Sequence, residues 1–327
     1  MARFDTETYV QGVLQGDRRL IAKTITLIES TLHQDEEQTQ EIIGQLLPYC
    51  GKSLRIGITG PPGAGKSTLI EALGLHLLKE KRRVAILAVD PSSKLSGGSV
   101  LGDKTRMARL MANNDIFVRP SAAGETLGGV ARKTRETMLV LEAAGFDTVL
   151  VETVGVGQSE TVVSDMTDFF LLVALPNAGD ELQGIKRGIM EMADAIVVNK
   201  ADGPFEESAK QAAHVLRSAL QVMHHPRPDW DLPVFLASAR TGLGIDEVWQ
   251  SMLRFQKVMT ANGTLQMRRR EQNLEWMATL VREELARRFD AHSEVRYLMP
   301  DLRRKVSDGK ITAVRAASLL MQAFAAG

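Results

Sequence analysis

The residues Gly60-Pro61-Pro62-Gly63-Ala64-Gly65-Lys66-Ser67-Thr68 carry the pattern G-x-x-x-x-G-K-S/T. Glycines at these positions let backbone N–H groups curl around phosphate oxygens. Lys66 would supply a point charge to the β- and γ-phosphates, and the Ser67 hydroxyl a hard oxygen for Mg²⁺. The run before the motif is apolar and β-rich, and the run after it has helical spacing. A helix N-terminus would therefore add its dipole to the same spot. Eight consistent positions with these flanks argue against a glycine turn that holds no ligand.

A second constellation selects the base. Asn199, Lys200 and Asp202 form N-K-x-D in "VVNKADG", near the end of a later apolar run. An Asp carboxylate can accept two hydrogen bonds from guanine, at N1–H and at the exocyclic amine. Adenine has no N1–H and no amine at that position, and its carboxylate partner would stay desolvated and unpaired. Charged hydrogen bonds contribute about 1.5–3 kcal/mol each, which makes a preference of about a hundredfold or more reasonable. The Lys200 stem would lie along the purine plane. Ser238, Ala239 and Arg240, in "LASARTG" (236–242), are placed like a loop that closes over the guanine.

Further acidic groups fall at candidate metal and γ-phosphate positions. In "VLVETVGVGQSE" (149–160), Glu152 and Gly155 occupy the slot where many GTPases carry D-x-x-G. Glu152 could hold Mg²⁺ directly or through water, and the Gly155 N–H could sense the γ-phosphate. Small Ras-like proteins place a water-orienting Gln after that glycine; here the residue is Val156. Slow intrinsic hydrolysis, or another water-positioning group, is the expectation. Asp90 ends the run "VAILAV" and reads as a Mg²⁺-shell or water-orienting group, with a turn cap as the alternative. Asp103, in "LGDKTRM", reads as a mobile sensor or as an N-cap. The catalytic and metal candidates are thus Lys66, Ser67, Asp90, Asp103 and Glu152. Asp180, Gln183 and Lys186, in "LPNAGDELQGIKRG", could form a nucleotide-sensitive loop or a capped helix start. His224-His225 does not make a dedicated transition-metal site among six scattered histidines. "RRR" (268–270) and "RRK" (303–305) read as solvated helical faces.

These groups need a scaffold that gathers them. Seven short apolar runs, at 54–59, 84–89, 116–119, 148–152, 169–175, 195–199 and 234–238, alternate with helical patterns. Runs apolar on both faces predict a mostly parallel α/β sheet covered on both sides, with the site at its carboxyl edge. Residues 1–50 read as two helices ahead of the sheet. Helical patterns at 244–261, 271–289 and 311–326 follow it, with a hinge at 260–270. The expected organisation is an N-terminal helical extension (1–51), a nucleotide domain (52–261) and a helical C-terminal region (262–327).

Composition narrows the class. The 327 residues are 44% hydrophobic and carry 40 Lys+Arg against 40 Asp+Glu, which argues against a nucleic-acid protein relying on a global positive field. One cysteine, Cys50, rules out an internal disulfide framework and fits a reducing cytosol. The opening "MARFDTETYV" predicts no signal peptide. The longest apolar strings fall short of the roughly 20 residues a membrane span needs. A cytoplasmic protein without nucleic-acid or membrane partners is the expectation.

Taken together, "GPPGAGKST", "AVDPSS", "LGDKTRM", "VETVGVGQSE", "GDELQGIK" and "NKAD" closely resemble the MeaB/ArgK-type GTPases, whose human counterpart is the methylmalonic aciduria type A protein. The resemblance covers nearly the whole chain. It implies a P-loop NTPase of the SIMIBI class and a homodimer joined largely through the C-terminal helices. It also implies a GTP-driven chaperone for an adenosylcobalamin-dependent acyl-CoA mutase, typically methylmalonyl-CoA mutase, with an adenosyltransferase as a further candidate partner. Under it, Asp90, Asp103 and Glu152 surround the metal and γ-phosphate, and the 177–188 loop responds to the partner. Three alternatives stay open: a metal-insertion accessory GTPase of the urease or hydrogenase type, a P-loop kinase using ATP, and an interaction module that binds GTP without turning it over. The first usually carries a His-rich tract or C-x-x-C, which this chain lacks; "NKAD" disfavours the second.

Overall fold

The computed structural model describes residues 4–30, 32–89, 108–119, 127–153, 159–176, 187–221 and 229–325. Its elements begin with α1 (Thr6–Leu14), α2 (Arg18–Ile28) and α3 (His33–Leu46). There follow β1 (Leu54–Thr59), α4 (Lys66–Lys79), β2 (Val84–Val89), α5 (Ala108–Met111), β3 (Ile116–Arg119), α6 (Leu127–Ala143) and β4 (Thr148–Thr153). Next come α7 (Ser159–Ser164), β5 (Phe169–Ala174), α8 (Arg187–Met192), β6 (Ala195–Val198), α9 (Glu206–Gln221), β7 (Val234–Leu236) and α10 (Ile245–Ala261). The chain closes with α11 (Thr264–Ala291), α12 (Ser293–Ser307) and α13 (Ala313–Ala325).

All seven expected strands form, in the order β3-β2-β4-β1-β5-β6-β7, and every pairing is parallel. Parallel pairing follows from the helical crossovers and from strands apolar on both faces, as β5 shows with all six residues buried. On one face Ile56, Ile58, Leu171 and Val173 pack under Leu69 and Leu73 of α4 and Trp249 and Phe255 of α10. On the other, Leu172, Ile196 and Val198 meet Ala209, Ala213 and Leu216 of α9. Strand order reverses about β1, between β4 and β5. The crevice beyond the carboxyl end of β1 is therefore the place where an open α/β sheet binds its ligand.

Among the described residues three α-helices, not two, precede the sheet. Gly16 takes φ +73° and Asp17 then caps α2, accepting from the N–H groups of Arg19 and Leu20. Such a left-handed residue followed by an N-cap ends one helix and starts another within two positions. The extension is pinned to α6: Lys133 Nζ donates to the Glu29 carbonyl over 2.8 Å, and Gln40 Nε2 to Glu136 Oε1 over 2.8 Å. Beneath it Arg55 Nε meets Glu142 Oε1 at 2.6 Å, and the Gly51 N–H donates to the second oxygen of that carboxylate.

The chain divides into two compact units, Met1–Gln266 and Met267–Gly327. In the second, Val295, Leu302, Ala316 and Leu320 are buried together, and Phe289 packs edge-on to Phe324. α12 is an element that the sequence reading does not assign. Pro300 and a mostly charged surface hide its apolar positions, which lie at helical spacing. Across 260–270 the only non-helical residues are Asn262 and Gly263. Among the described residues no helix is long and apolar enough to cross a membrane.

Candidate functional site

The glycine loop leaves β1 and enters α4. Gly63 and Gly65 hold left-handed backbone at φ +78° and +84°, and Gly65 is the N-cap of α4. A side chain at Gly60 would place its Cβ 2.2 Å from the Val173 carbonyl oxygen; at Gly65 it would lie 2.6 Å from Asn199 Nδ2. Both positions need glycine for close approach as well as for conformation. Lys66 is 7% exposed, and its ammonium donates to the carbonyls of Gly60 (2.8 Å) and Pro61 (3.2 Å). Burial pulls its pKa below the usual lysine range, against the carboxylates of Glu152 and Glu160, which hold it up.

Register places the next group. Glu152 lies between Ile58 of β1 and Ala88 of β2, at the strand ends beside the loop. Its Oε1 accepts a 2.9 Å hydrogen bond from Ser67 Oγ at the start of α4. Two hard oxygens at that separation match neighbouring corners of an octahedron with bonds of roughly 2.0–2.1 Å. Ser67 and Glu152 therefore fit Mg²⁺. One layer down, Thr153 Oγ1 donates to Thr59 Oγ1 over 2.9 Å and ties β4 to β1.

The base side is a network of side chains from the ends of β6 and β7. Asn199, 1% exposed, donates through Nδ2 to the Ala64 carbonyl (2.8 Å), while its Oδ1 accepts from the Ala239 N–H (3.2 Å). Asn199 thus buckles the phosphate loop to the 238–240 loop. Lys200 follows with φ +61° and an exposed side chain. Ser238 Oγ donates to Asp202 Oδ1 over 2.8 Å, and Arg240 meets the other oxygen at 2.9 Å. A cleft of about 380 Å³ opens here, lined by Gly65, Thr68, Asn199, Asp202, Ser238 and Arg240 among others. A carboxylate held at the rim of such a cleft, with an exposed cation and a hydroxyl on it, can exchange partners with a planar donor edge such as guanine.

The structure thus brings together Gly60 through Thr68, Glu152, Asn199, Lys200, Asp202, Ser238, Ala239 and Arg240. Asp90, Asp103, Gly155, Asp180, Gln183 and Lys186 lie outside the described residues, as do His224 and His225. Arg304 and Lys305 sit exposed on α12, each paired with Asp301. Three groups escape the sequence reading. Glu160, on α7, is buried within electrostatic reach of Lys66. Pro204 and Phe205 line the base cleft. The signal for Phe205 is an aromatic three residues beyond Asp202 in a polar stretch; Glu160 closes the stretch "VETVGVGQSE", where no role is read for it.

Residues 21–294 match the family described as "Methylmalonyl Co-A mutase-associated GTPase MeaB". A Caulobacter vibrioides protein named as a GTPase is 49% identical over 320 residues, covering 98% of each chain. The mouse "Methylmalonic aciduria type A homolog, mitochondrial" is 44% identical, covering 98% of this chain and 80% of its own length. A crystal structure named LAO/AO transport system kinase superposes with a TM-score of 0.81 at 34% identity, over 98% of this chain and 99% of that one. A seven-stranded parallel sheet, a phosphate loop at its switch point and a guanine-type base network agree with these likenesses. The chain is a P-loop GTPase, and it belongs to the MeaB family of methylmalonyl-CoA mutase-associated GTPases.

Proposed function

We propose that this GTPase is a switch that gates adenosylcobalamin loading into a cobalamin-dependent acyl-CoA mutase, methylmalonyl-CoA mutase first among them, and protects or reactivates that enzyme. The observation that carries this reading is the match over 21–294 to a family described by its association with that mutase. The mouse relative's name points the same way. A single cysteine fits a cytoplasmic setting. An adenosyltransferase is a further partner on this reading.

In the mechanism, backbone N–H groups of the glycine loop bind the phosphates and Lys66 turns its ammonium from the Gly60 and Pro61 carbonyls onto the γ-phosphate. Ser67 and Glu152, joined by Asp90 and Asp103, would hold Mg²⁺, which would supply charge neutralisation to the triphosphate. Asn199 fixes the distance between phosphate loop and base loop. Asp202 accepts the guanine edge, and Lys200, Ser238, Ala239 and Arg240 close over it. Gly155 senses the γ-phosphate, and Asp180, Gln183 and Lys186 respond to the partner. With Val156 where a water-orienting Gln would stand, attack of water on the γ-phosphate waits for a group fixed by the client. Such catalysis is mostly positioning and charge, so a partner that fixes one loop raises the rate by orders of magnitude.

A homodimer belongs to the same reading. Met267, Leu274, Met277, Val281 and Leu285 recur along α11 at intervals of three, four and seven, each more than half exposed. That spacing supports a seam for a second copy. Light scattering of the Leu274→Glu, Val281→Glu chain should report a monomer; an intact dimer would move the interface elsewhere.

The test of the switch is GTP turnover, with ATP as control, alone and with an equimolar methylmalonyl-CoA mutase. Slow GTP-specific hydrolysis that the mutase accelerates many-fold is the expected result. Unchanged turnover would leave the GTPase and remove the client.

A further inference from the structure

Three side chains meet at the opposite end of α4 from the phosphate loop. His76 lies in the last turn of α4, Glu80 is its C-cap residue, and Asp246 stands in the first turn of α10. His76 Nε2 is 3.3 Å from Asp246 Oδ1 and 3.9 Å from Glu80 Oε1. One nitrogen or oxygen from each of the three lies within 4.8 Å of the others. That Nε2 is shielded from solvent and makes no hydrogen bond among the described residues, despite its nearness to two carboxylates. Glu80 is aimed by a neighbour: its Oε2 accepts a 2.7 Å hydrogen bond from the indole N–H of Trp249, a fully buried ring. This leaves Oε1 facing the imidazole. A ligand carboxylate oriented by a buried donor is the arrangement that metal centres use in their supporting shell.

We propose that His76, Glu80 and Asp246 bind one divalent cation of the zinc class: Zn²⁺, Ni²⁺ or Co²⁺. An imidazole nitrogen with two carboxylates suits these ions, whereas Mg²⁺ and Ca²⁺ take oxygen ligands in greater number. Bonds of roughly 2.0–2.1 Å in a tetrahedron put ligand atoms about 3.3–3.4 Å apart. The His76–Asp246 separation of 3.3 Å already meets this. Glu80 Oε1 must approach the imidazole by about half an ångström, within reach of a side chain 35% exposed. Three protein ligands leave the fourth position to water. The site is separate from the triphosphate: nine residues of helix from Ser67 to His76, at 1.5 Å each, span about 13 Å. It would tie the end of the helix that starts at the phosphate loop to the start of the helix that follows the base loop.

Calorimetric titration of ZnCl₂ into the full chain, stripped with chelator and held in Mg²⁺ buffer, tests it. The expected result is one saturable equivalent per chain, weakened at least tenfold in His76→Ala and in Asp246→Asn. The His224→Ala, His225→Ala chain should bind as the parent does. CoCl₂ should give a visible d–d absorption in the parent that is lost in His76→Ala. Normal GTP binding by the variants establishes that they fold, and Asp246→Asn alters an exposed group that the core does not need. Absence of saturable binding, or binding that survives both His76→Ala and Asp246→Asn, or that follows His224 and His225, overturns the site. The cluster would then be a surface ion pair.

Discussion

On the proposed mechanism, the recognition surface at the phosphate end of the cleft is backbone: glycines at 60, 63 and 65 hold positive φ, and one buried lysine leans on loop carbonyls. At the base end it is side chain: Asn199, Asp202, Ser238 and Arg240 hold one another across the ends of two strands. Phosphates are common to every nucleoside triphosphate, and a cradle of N–H groups reads their charge without asking which base follows. Discrimination needs donors and acceptors in a fixed pattern, which only side chains on rigid strand ends supply. Damage at one end should therefore cost turnover with any nucleotide, and damage at the other should cost choice.

The largest expected effect is at Lys66. Lys66→Ala should lower GTP turnover by about a thousandfold or more while base selectivity in binding assays is kept. Near-normal hydrolysis would sink the assignment of this loop to the γ-phosphate. Next comes Asp202→Asn. Ser238 can still donate to the amide oxygen, so the loop survives, but guanine N1–H and amine lose a carboxylate. GTP affinity should fall about a hundredfold and xanthosine triphosphate, with a carbonyl in place of the amine, should gain. Unchanged GTP affinity would take Asp202 out of the base site and collapse the contrast between the two ends.

The contrast also explains what the sequence reveals. The phosphate end is contiguous, so its glycines, lysine and hydroxyl are legible as one string. The strands are legible because Val84–Val89 and Phe169–Ala174 are apolar on both faces, which is what a covered parallel sheet demands. Asn199 and Asp202 are legible as a motif, yet the bridge from Asn199 to Ala64 joins residues 135 apart and exists only after folding. Glu160 is hidden for the same reason: it acts on Lys66, a residue distant in sequence. The missed helix Ser293–Ser307 fails differently, because Pro300 interrupts a pattern that the small core around Val295 and Leu302 nonetheless completes. His76 and Asp246 look like isolated surface residues until α4 and α10 lie side by side.

Gly65 is where the two ends touch, and Gly63 is its control. Both hold left-handed backbone, so alanine at either should cost about 1–2 kcal/mol of strain. A Cβ at Gly63 meets open space, whereas at Gly65 it drives into Asn199 Nδ2. Chemical denaturation should show the larger loss for Gly65→Ala, and only that variant should also weaken GTP binding, by about tenfold, because the buckle to the base loop is displaced. Equal losses in the two variants would mean that Asn199 does not couple the ends.

The smallest effect is expected at Arg240, and its smallness is informative. Its guanidinium sits 2.9 Å from Asp202 but is 79% exposed, where an ion pair contributes about 0–1 kcal/mol after solvent and side-chain entropy are counted. On the proposed mechanism, guanine takes Asp202 over from this arginine. If Arg240 merely occupies the carboxylate in the free protein, Arg240→Ala should leave GTP affinity within about fivefold of the parent and raise the association rate. If it instead stays over the bound base, the same change should speed GTP dissociation and leave association alone. Stopped-flow binding separates the two, because a competitor for Asp202 acts on the way in and a closing group acts on the way out. The first outcome removes Arg240 from the groups that close over guanine and leaves base choice to Asp202; the second keeps Arg240 among them.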